Sequence, residues 1–304
     1  MDGVKTLPNL ESFHVDLSVC TTDLQLDSLR NITKIVITGY CINFLTTTVD
    51  PLTVAISNSP HLALLEFGPS YTNVHPVKVY DLPTLHRLLK RHAVEAAVHL
   101  KELDIKGCWV RLDQKTLPHV KYLTSLTLIN VMVDTSRIPE DDPIREESST
   151  HDEIWSTLNR AGIRLQNVSV DNVGMAFLQY ISSYSGLKKI QLVTENFPHW
   201  RRRDSEFAAR RFYEECLLHH VESLEELDVQ ALYEGRWCLV DENVAVLRQC
   251  PRLRVLTGCI VSGEDSNSNF VVGPIVCTQH QYRANGKHRN RSSTPSLKCR
   301  HWKS

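Results

Sequence analysis

Long uncharged runs are missing from this chain. The two longest, Ile35 to Val49 and Pro51 to Leu65, contain Gly, Thr, Asn, Ser or Pro, and they fall short of the roughly 20 apolar residues that cross a bilayer as a helix. No membrane span is expected. The start, MDGVKTLPNLESF, lacks the basic and then apolar stretches of a secretory leader, so the chain is read as intracellular, in cytoplasm or nucleus. Paired cysteines are missing too: the nine are odd in number and none forms a CxxC pair, which fits small buried hydrophobes better than a disulfide framework.

An excess of charge of one sign is also absent. Lys and Arg number 34 against 35 Asp and Glu, for a net charge of −1, so the chain as a whole has no pull toward nucleic acid or anionic membrane. Catalytic signatures are absent in turn: there is no P-loop, GxSxG elbow, HExxH helix or dinucleotide fingerprint. His14, His61, His86, His92 and His99 have no ligand-like spacing as a set. Cys216, His219 and His220 sit at helical spacing suited to zinc but lack a fourth ligand, and Cys277, His280, Cys299 and His301 lack finger spacing. The expectation is a non-enzyme with no cofactor and no metal.

What is present is a repeat. Hydrophobic residues at 42% and charged residues at 23% suffice for a packed core, and the motif LxxLxL recurs nine times. Copies begin at Leu10, Ile32, Leu62, Leu100, Leu123, Leu165, Leu187, Leu224 and Leu253, so successive starts differ by 22, 30, 38, 23, 42, 22, 37 and 29 residues. Regular leucine-rich repeats run roughly 20–29 residues, so the three units of 37, 38 and 42 residues carry insertions. The LxL alternation puts two aliphatic side chains on one face of a short strand while the first leucine turns in from the loop. One unit cannot bury that strip alone; stacked units can. The fold expected is α/β, a leucine-rich-repeat solenoid (horseshoe) with a parallel concave sheet and helices on the convex side. A doubly wound α/β domain also alternates strand and helix, but no Gly-rich phosphate loop follows any strand. Helices are expected over 84–99, 152–161, 173–184 and 242–250, from apolar residues at 3.6-residue spacing and from Gly or Pro stops.

Residues 1–262 are read as the repeat domain. It carries an acidic insertion at 134–153 and a helical insertion at 200–220, where Arg201, Arg202, Arg203, Arg210 and Arg211 are offset by Asp204, Glu206, Glu214 and Glu215. Residues 263–304 lack the repeat, are basic, and are expected to be a disordered tail.

In LKELDIKGC (Leu100 to Cys108), LPHVKYLTSLTLINV (Leu117 to Val131), VESLEELDV (Val221 to Val229) and CPRLRVL from Cys250, the chain resembles the irregular leucine-rich-repeat region of fungal F-box proteins. The resemblance implies a repeat array that presents substrates to a ubiquitin ligase, with an F-box docking the ligase adaptor. The first repeat begins at Leu10, so the F-box itself is expected to be absent.

The residue between the last two apolar positions of each motif faces away from the core. These residues are His14, Val36, Glu66, Asp104, Thr127, Ser169, Gln191, Asp228 and Thr257, and their alternating neighbours include Glu102, Asp171 and Glu226. The partner-binding set expected on the concave face is Glu66, Glu102, Asp104, Thr127, Ser169, Asp171, Gln191, Glu226 and Asp228. Its acidic bias points to a protein partner with a basic or mixed polar surface. Nucleic acid bound through the arginine-rich helix, or a fragment of a longer repeat protein, are the alternatives.

Overall fold

The computed structural model describes residues 10–19, 26–39, 48–69, 83–89, 97–131, 150–193, 202–231, 235–259 and 275–278. The chain divides into two compact units, Met1–Tyr184 and Ser185–Ser304, and helices alternate with strands in both. The class is α/β.

The first unit carries six strands: β1 (Ser12–Asp16), β2 (Lys34–Gly39), β3 (Leu64–Pro69), β4 (Glu102–Lys106), β5 (Ser125–Ile129) and β6 (Asn167–Val170). Each pairs in parallel with the next in chain order. Every strand begins two residues after the first apolar residue of an LxxLxL copy, so the motif and the strand are the same object. Register is set by burial. Ile35, Leu65, Leu103, Leu126 and Val168 stand side by side, as do Ile37, Phe67, Ile105, Leu128 and Val170, and all ten are 0–3% exposed. Full burial of such a side chain contributes about 1.5–3 kcal/mol.

Helices α1 (Asp50–Ser57), α2 (Leu85–Leu89), α3 (Leu117–Val120), α4 (His151–Arg160) and α5 (Met175–Ser182) make the return segments. The starts of α1 and α3 each carry Pro within the first two positions, where the missing amide hydrogen costs nothing. The return layer has its own connections. Arg87 of α2 donates to both carboxylate oxygens of Asp50 on α1, at 3.1 and 3.2 Å. Trp155 of α4 meets Phe177 of α5 edge to face at 4.9 Å, and Tyr180 donates its hydroxyl to the Ile163 carbonyl at 3.0 Å. Burial lifts the Tyr180 phenol to about 12.

The second unit repeats the pattern with β7 (Lys189–Val193), β8 (Glu226–Gln230) and β9 (Val255–Gly258), paired in parallel. Helix α6 (Arg202–Arg211) continues into a wider π-type turn, Phe212–Cys216, and a 3-10 turn, Leu217–His220. Helix α7 (Asp241–Leu247) precedes β9. Ile190 and Leu227 are adjacent and fully buried. Phe212, Tyr213 and Trp237 form the aromatic core, with the Trp237 indole donating to Ser205 Oγ at 2.9 Å.

Several expectations are adjusted. The helices at 152–161, 173–184 and 242–250 are present with ends shifted by one to three residues. The helix expected over 84–99 is described at Leu85–Leu89, and 97–99 is not helical; residues 90–96 lie outside the described set. Of the acidic insertion at 134–153, only 150–153 are described. There Thr150 Oγ1 accepts the Glu153 amide at 3.2 Å and the Glu153 carboxylate accepts the Thr150 amide at 2.8 Å. That reciprocal cap makes Glu153 a helix-starting residue. Residues 200 and 201 of the second insertion lie outside the described set. So does the tail at 263–304, apart from β10 (Ile275–Thr278), which pairs antiparallel with β9.

A buried polar group recurs in the turn between return segment and strand. The Ile32 amide donates to Ser59 Oγ at 3.1 Å, the Val98 amide to His119 Nδ1 at 3.1 Å, and the Leu187 amide to His220 Nδ1 at 3.3 Å. All three acceptors are at most 1% exposed. Each takes up an amide from the preceding repeat that has left its own strand ladder, and an unpaired buried amide costs about 1–3 kcal/mol. His119 also accepts the Leu100 amide on its carbonyl at 3.0 Å. We predict that His119→Ala lowers unfolding free energy by about 2–4 kcal/mol, since it adds a cavity to the orphaned amide. His119→Asn, which keeps an acceptor, should lose less. Urea denaturation of both variants checks the order, and equal losses would show that the hydrogen bond is immaterial.

Candidate binding face

Alternation leaves one side of each sheet hydrated. In the first unit the register aligns His14, Val36, Glu66, Asp104, Thr127 and Ser169 in one row. In the second it aligns Gln191, Asp228 and Thr257. These are the rows the motif alone predicts. Polarity is less uniform than expected, because Val36 is only 8% exposed and Leu64 and Ile129 also lie on this side, half-buried.

The charged centre of the first row is a three-residue cluster. Lys106 Nζ lies 3.2 Å from Asp104 Oδ2 and 3.5 Å from Glu66 Oε1. Gly68, opposite Lys106 across the β3–β4 pair, makes room for the lysine stem: a Cβ there would stand 3.1 Å from Lys106 Cδ. Burial raises the Asp104 carboxyl above its ordinary range, Lys106 pulls it back down, and Glu66 pushes it up again. Asp104 Oδ1 is buried and has no hydrogen-bond partner among the described residues. The second unit repeats this arrangement with neutral donors. Asp228 Oδ2 accepts from Gln191 Nε2 at 2.9 Å and from Gln230 Nε2 at 3.0 Å, and its Oδ1 is likewise buried without a partner. Lys189 pairs with Glu226 at 3.0 Å.

Eight of the nine residues expected on the binding face stand on it: Glu66, Glu102, Asp104, Thr127, Ser169, Gln191, Glu226 and Asp228. Asp171 is corrected. It follows the last residue of β6, is 4% exposed, and accepts the Asn130 amide on Oδ2 at 2.6 Å. Asn130 has a positive φ of 51° just past β5, so the Asp171 carboxylate is buried against that turn and holds it. Strand alternation fails there because the strand has ended. The roles of Lys106 and Gly68 were hidden in the sequence, since only the cross-strand register shows that a lysine two residues past Asp104 reaches back to Glu66.

The arginine-rich helix is partly neutralised from within. Arg210 and Arg211 pair with Glu214 and Glu215, each at 2.9 Å and four residues on. Cys216 and His220 are buried while His219 is exposed, and His220 Nδ1 already takes the Leu187 amide; these three side chains do not converge. A described void of the first unit is lined by Leu103, Val110, Leu112, Val120, Leu126 and Ile154 among others, all apolar, and it lies under the sheet on the core side. No described helix is long and apolar enough to cross a membrane.

A carboxyl held above its ordinary range disfavours the native state once it ionises. The sign is that the native state keeps the proton to higher pH than the unfolded state, so stability falls as pH rises through that interval and stays lower above it. Asp104→Asn should therefore unfold at equal or higher urea than the parent at about pH 7, with the gap closing near about pH 3. Chemical denaturation at the two pH values checks this, and an Asn variant less stable at neutral pH would mean that the Lys106 pair outweighs burial. No protein-family model matches the chain, and no curated protein is similar to it in sequence.

Proposed function

We propose that the chain is a non-catalytic protein–protein interaction scaffold made of leucine-rich repeats. The repeats curve into a horseshoe whose concave sheet carries the partner site. The observation that supports this best is the hydrated row itself. Side chains with unspent hydrogen-bonding capacity, the buried Oδ1 atoms of Asp104 and Asp228 above all, stand on rigid strands whose other side is committed to the core. A buried carboxylate oxygen without a donor is costly, and a lysine, arginine or amide from a partner relieves that cost on binding. The partner surface is accordingly basic or mixed polar, as the neighbouring Glu66, Glu102 and Glu226 also favour.

The resemblance to the repeat region of fungal F-box proteins extends the proposal to substrate recognition for a ubiquitin ligase, inside the cell, in cytoplasm or nucleus. The site asks for no metal or cofactor. Nucleic acid is the weaker reading, because Arg210 and Arg211 of α6 are paired with Glu214 and Glu215.

Affinity capture from cell extract with mass spectrometry tests both levels. Asp104→Lys and Asp228→Lys are each expected to cut recovery of the specific partner at least about tenfold, which corresponds to about 1.4 kcal/mol. Recovery of ligase adaptor subunits would support the F-box assignment. Undiminished capture by both variants would sink the binding face.

A further inference from the structure

We infer that the loops leading into β2–β6 form a cationic, ring-bearing rim on the first unit that takes an acidic stretch of a protein partner; this rests on the scaffold reading above and names the chemistry of what is bound. The five described loops are residues 29–33, 58–63, 97–101, 121–124 and 161–166. Together they contain Arg30, Lys101, Lys121 and Arg164, the rings of His61, His99 and Tyr122, and no carboxylate.

The loops are held in register, so these groups form a row. Below the strands the ladder continues: the Ala63 amide donates to the Thr33 carbonyl, Lys101 to Ala63, Thr124 to Lys101, and Gln166 to Thr124, at 2.7 to 2.8 Å. Neighbouring strands lie about 4.8 Å apart, so five loops span about 19 Å, the reach of about six residues of extended chain. All seven named side chains are exposed. Several cations elsewhere are paired: Arg87 with Asp50, Lys106 with Asp104 and Glu66, Lys189 with Glu226, Arg254 with Glu225. Arg30, Lys101 and Lys121 have no carboxylate partner among the described residues. Ring contacts steady the row instead. His99 meets Tyr122 edge to face at 4.9 Å, Lys121 lies 5.8 Å over the Tyr122 ring, and Arg164 lies 5.1 Å over Tyr184. The corresponding loops of the second unit are mixed in sign, with Glu222 and Glu225 before β8 and Arg248, Arg252 and Arg254 before β9.

A protein segment suits this rim better than nucleic acid does. Exposed Glu102 directly follows Lys101, and Glu66 and Asp104 stand further along the same strands, so a uniform polyanion laid here is repelled one residue inward. A polypeptide can set carboxylates on the rim and lysines or amides on the face beside it. The faces on which bases would stack are also partly covered, since Lys121 occupies one side of the Tyr122 ring.

Fluorescence anisotropy on the full chain tests the assignment with three labelled probes of about twelve units: a peptide alternating Glu and Ser, its Lys and Ser counterpart, and a thymidine oligonucleotide. The acidic peptide should bind with an affinity that falls as salt rises. Lys101→Glu with Lys121→Glu should weaken it at least tenfold, and the milder Lys101→Ala with Lys121→Ala should weaken it in the same direction, with circular dichroism melting confirming that both variants fold. Failure of the acidic peptide to bind, indifference of binding to both variants, or tighter binding of the oligonucleotide that the same variants abolish would overturn the proposal. If the rim variants lose the acidic peptide while Asp104→Lys leaves capture from extract intact, the rim stands and the sheet-face reading falls.

Discussion

A strand with Leu103 and Ile105 on one side and Asp104 on the other can shift along its neighbours only in steps of two residues. A single step would carry the carboxylate into the apolar layer and the two aliphatic side chains into water. The same two-residue rule governs each parallel pair in both units, so the placement of the outward residues follows from the burial of the inward ones. The spacing of the face is therefore set by the core beneath it, and ion pairs such as Lys106 with Asp104 and Glu66 add to that order. Return segments are freer. They differ in length from a four-residue helix to ten residues, because they need only cover the apolar side and bring the chain back.

That difference explains what could be read from the residues. Strands β1 to β9 were legible, because LxxLxL encodes both the alternation and the inward turn that precedes it; β10 lies within 263–304, which was expected to be a disordered tail. Helix positions were legible where apolar spacing and a Gly or Pro stop agreed, as before Gly162, and blurred where helices were short. The helices beginning at Asp50 and Leu117 were not anticipated; both are short and carry proline in the first turn. The outward placement of eight of the nine expected residues followed from period two alone. Asp171 did not, since alternation holds only while a strand lasts, and nothing local announces that β6 stops at Val170.

Interactions between repeats were the least legible. The acceptors Ser59, His119 and His220 differ in type and lie far in sequence from the amides they satisfy. Lys106 gains its role from Gly68 on the neighbouring strand. Such pairings depend on which residues a fixed register brings abreast, and the irregular spacing of 22 to 42 residues between motifs conceals that until the strands are laid side by side. Charge follows the same geometry. A chain with almost equal numbers of acids and bases still sorts them by row, because each row draws one residue from every repeat.

The reversed direction of β10 has a consequence for growth. A stack of parallel strands presents at its end an open ladder onto which another chain could add in the same sense, and repeat arrays are exposed to that route of polymerisation. By running antiparallel to β9, β10 occupies those donors and acceptors with the wrong polarity for a further repeat. The edge of β9 from Val255 to Gly258 is thereby taken up within the chain and closed to a further parallel strand.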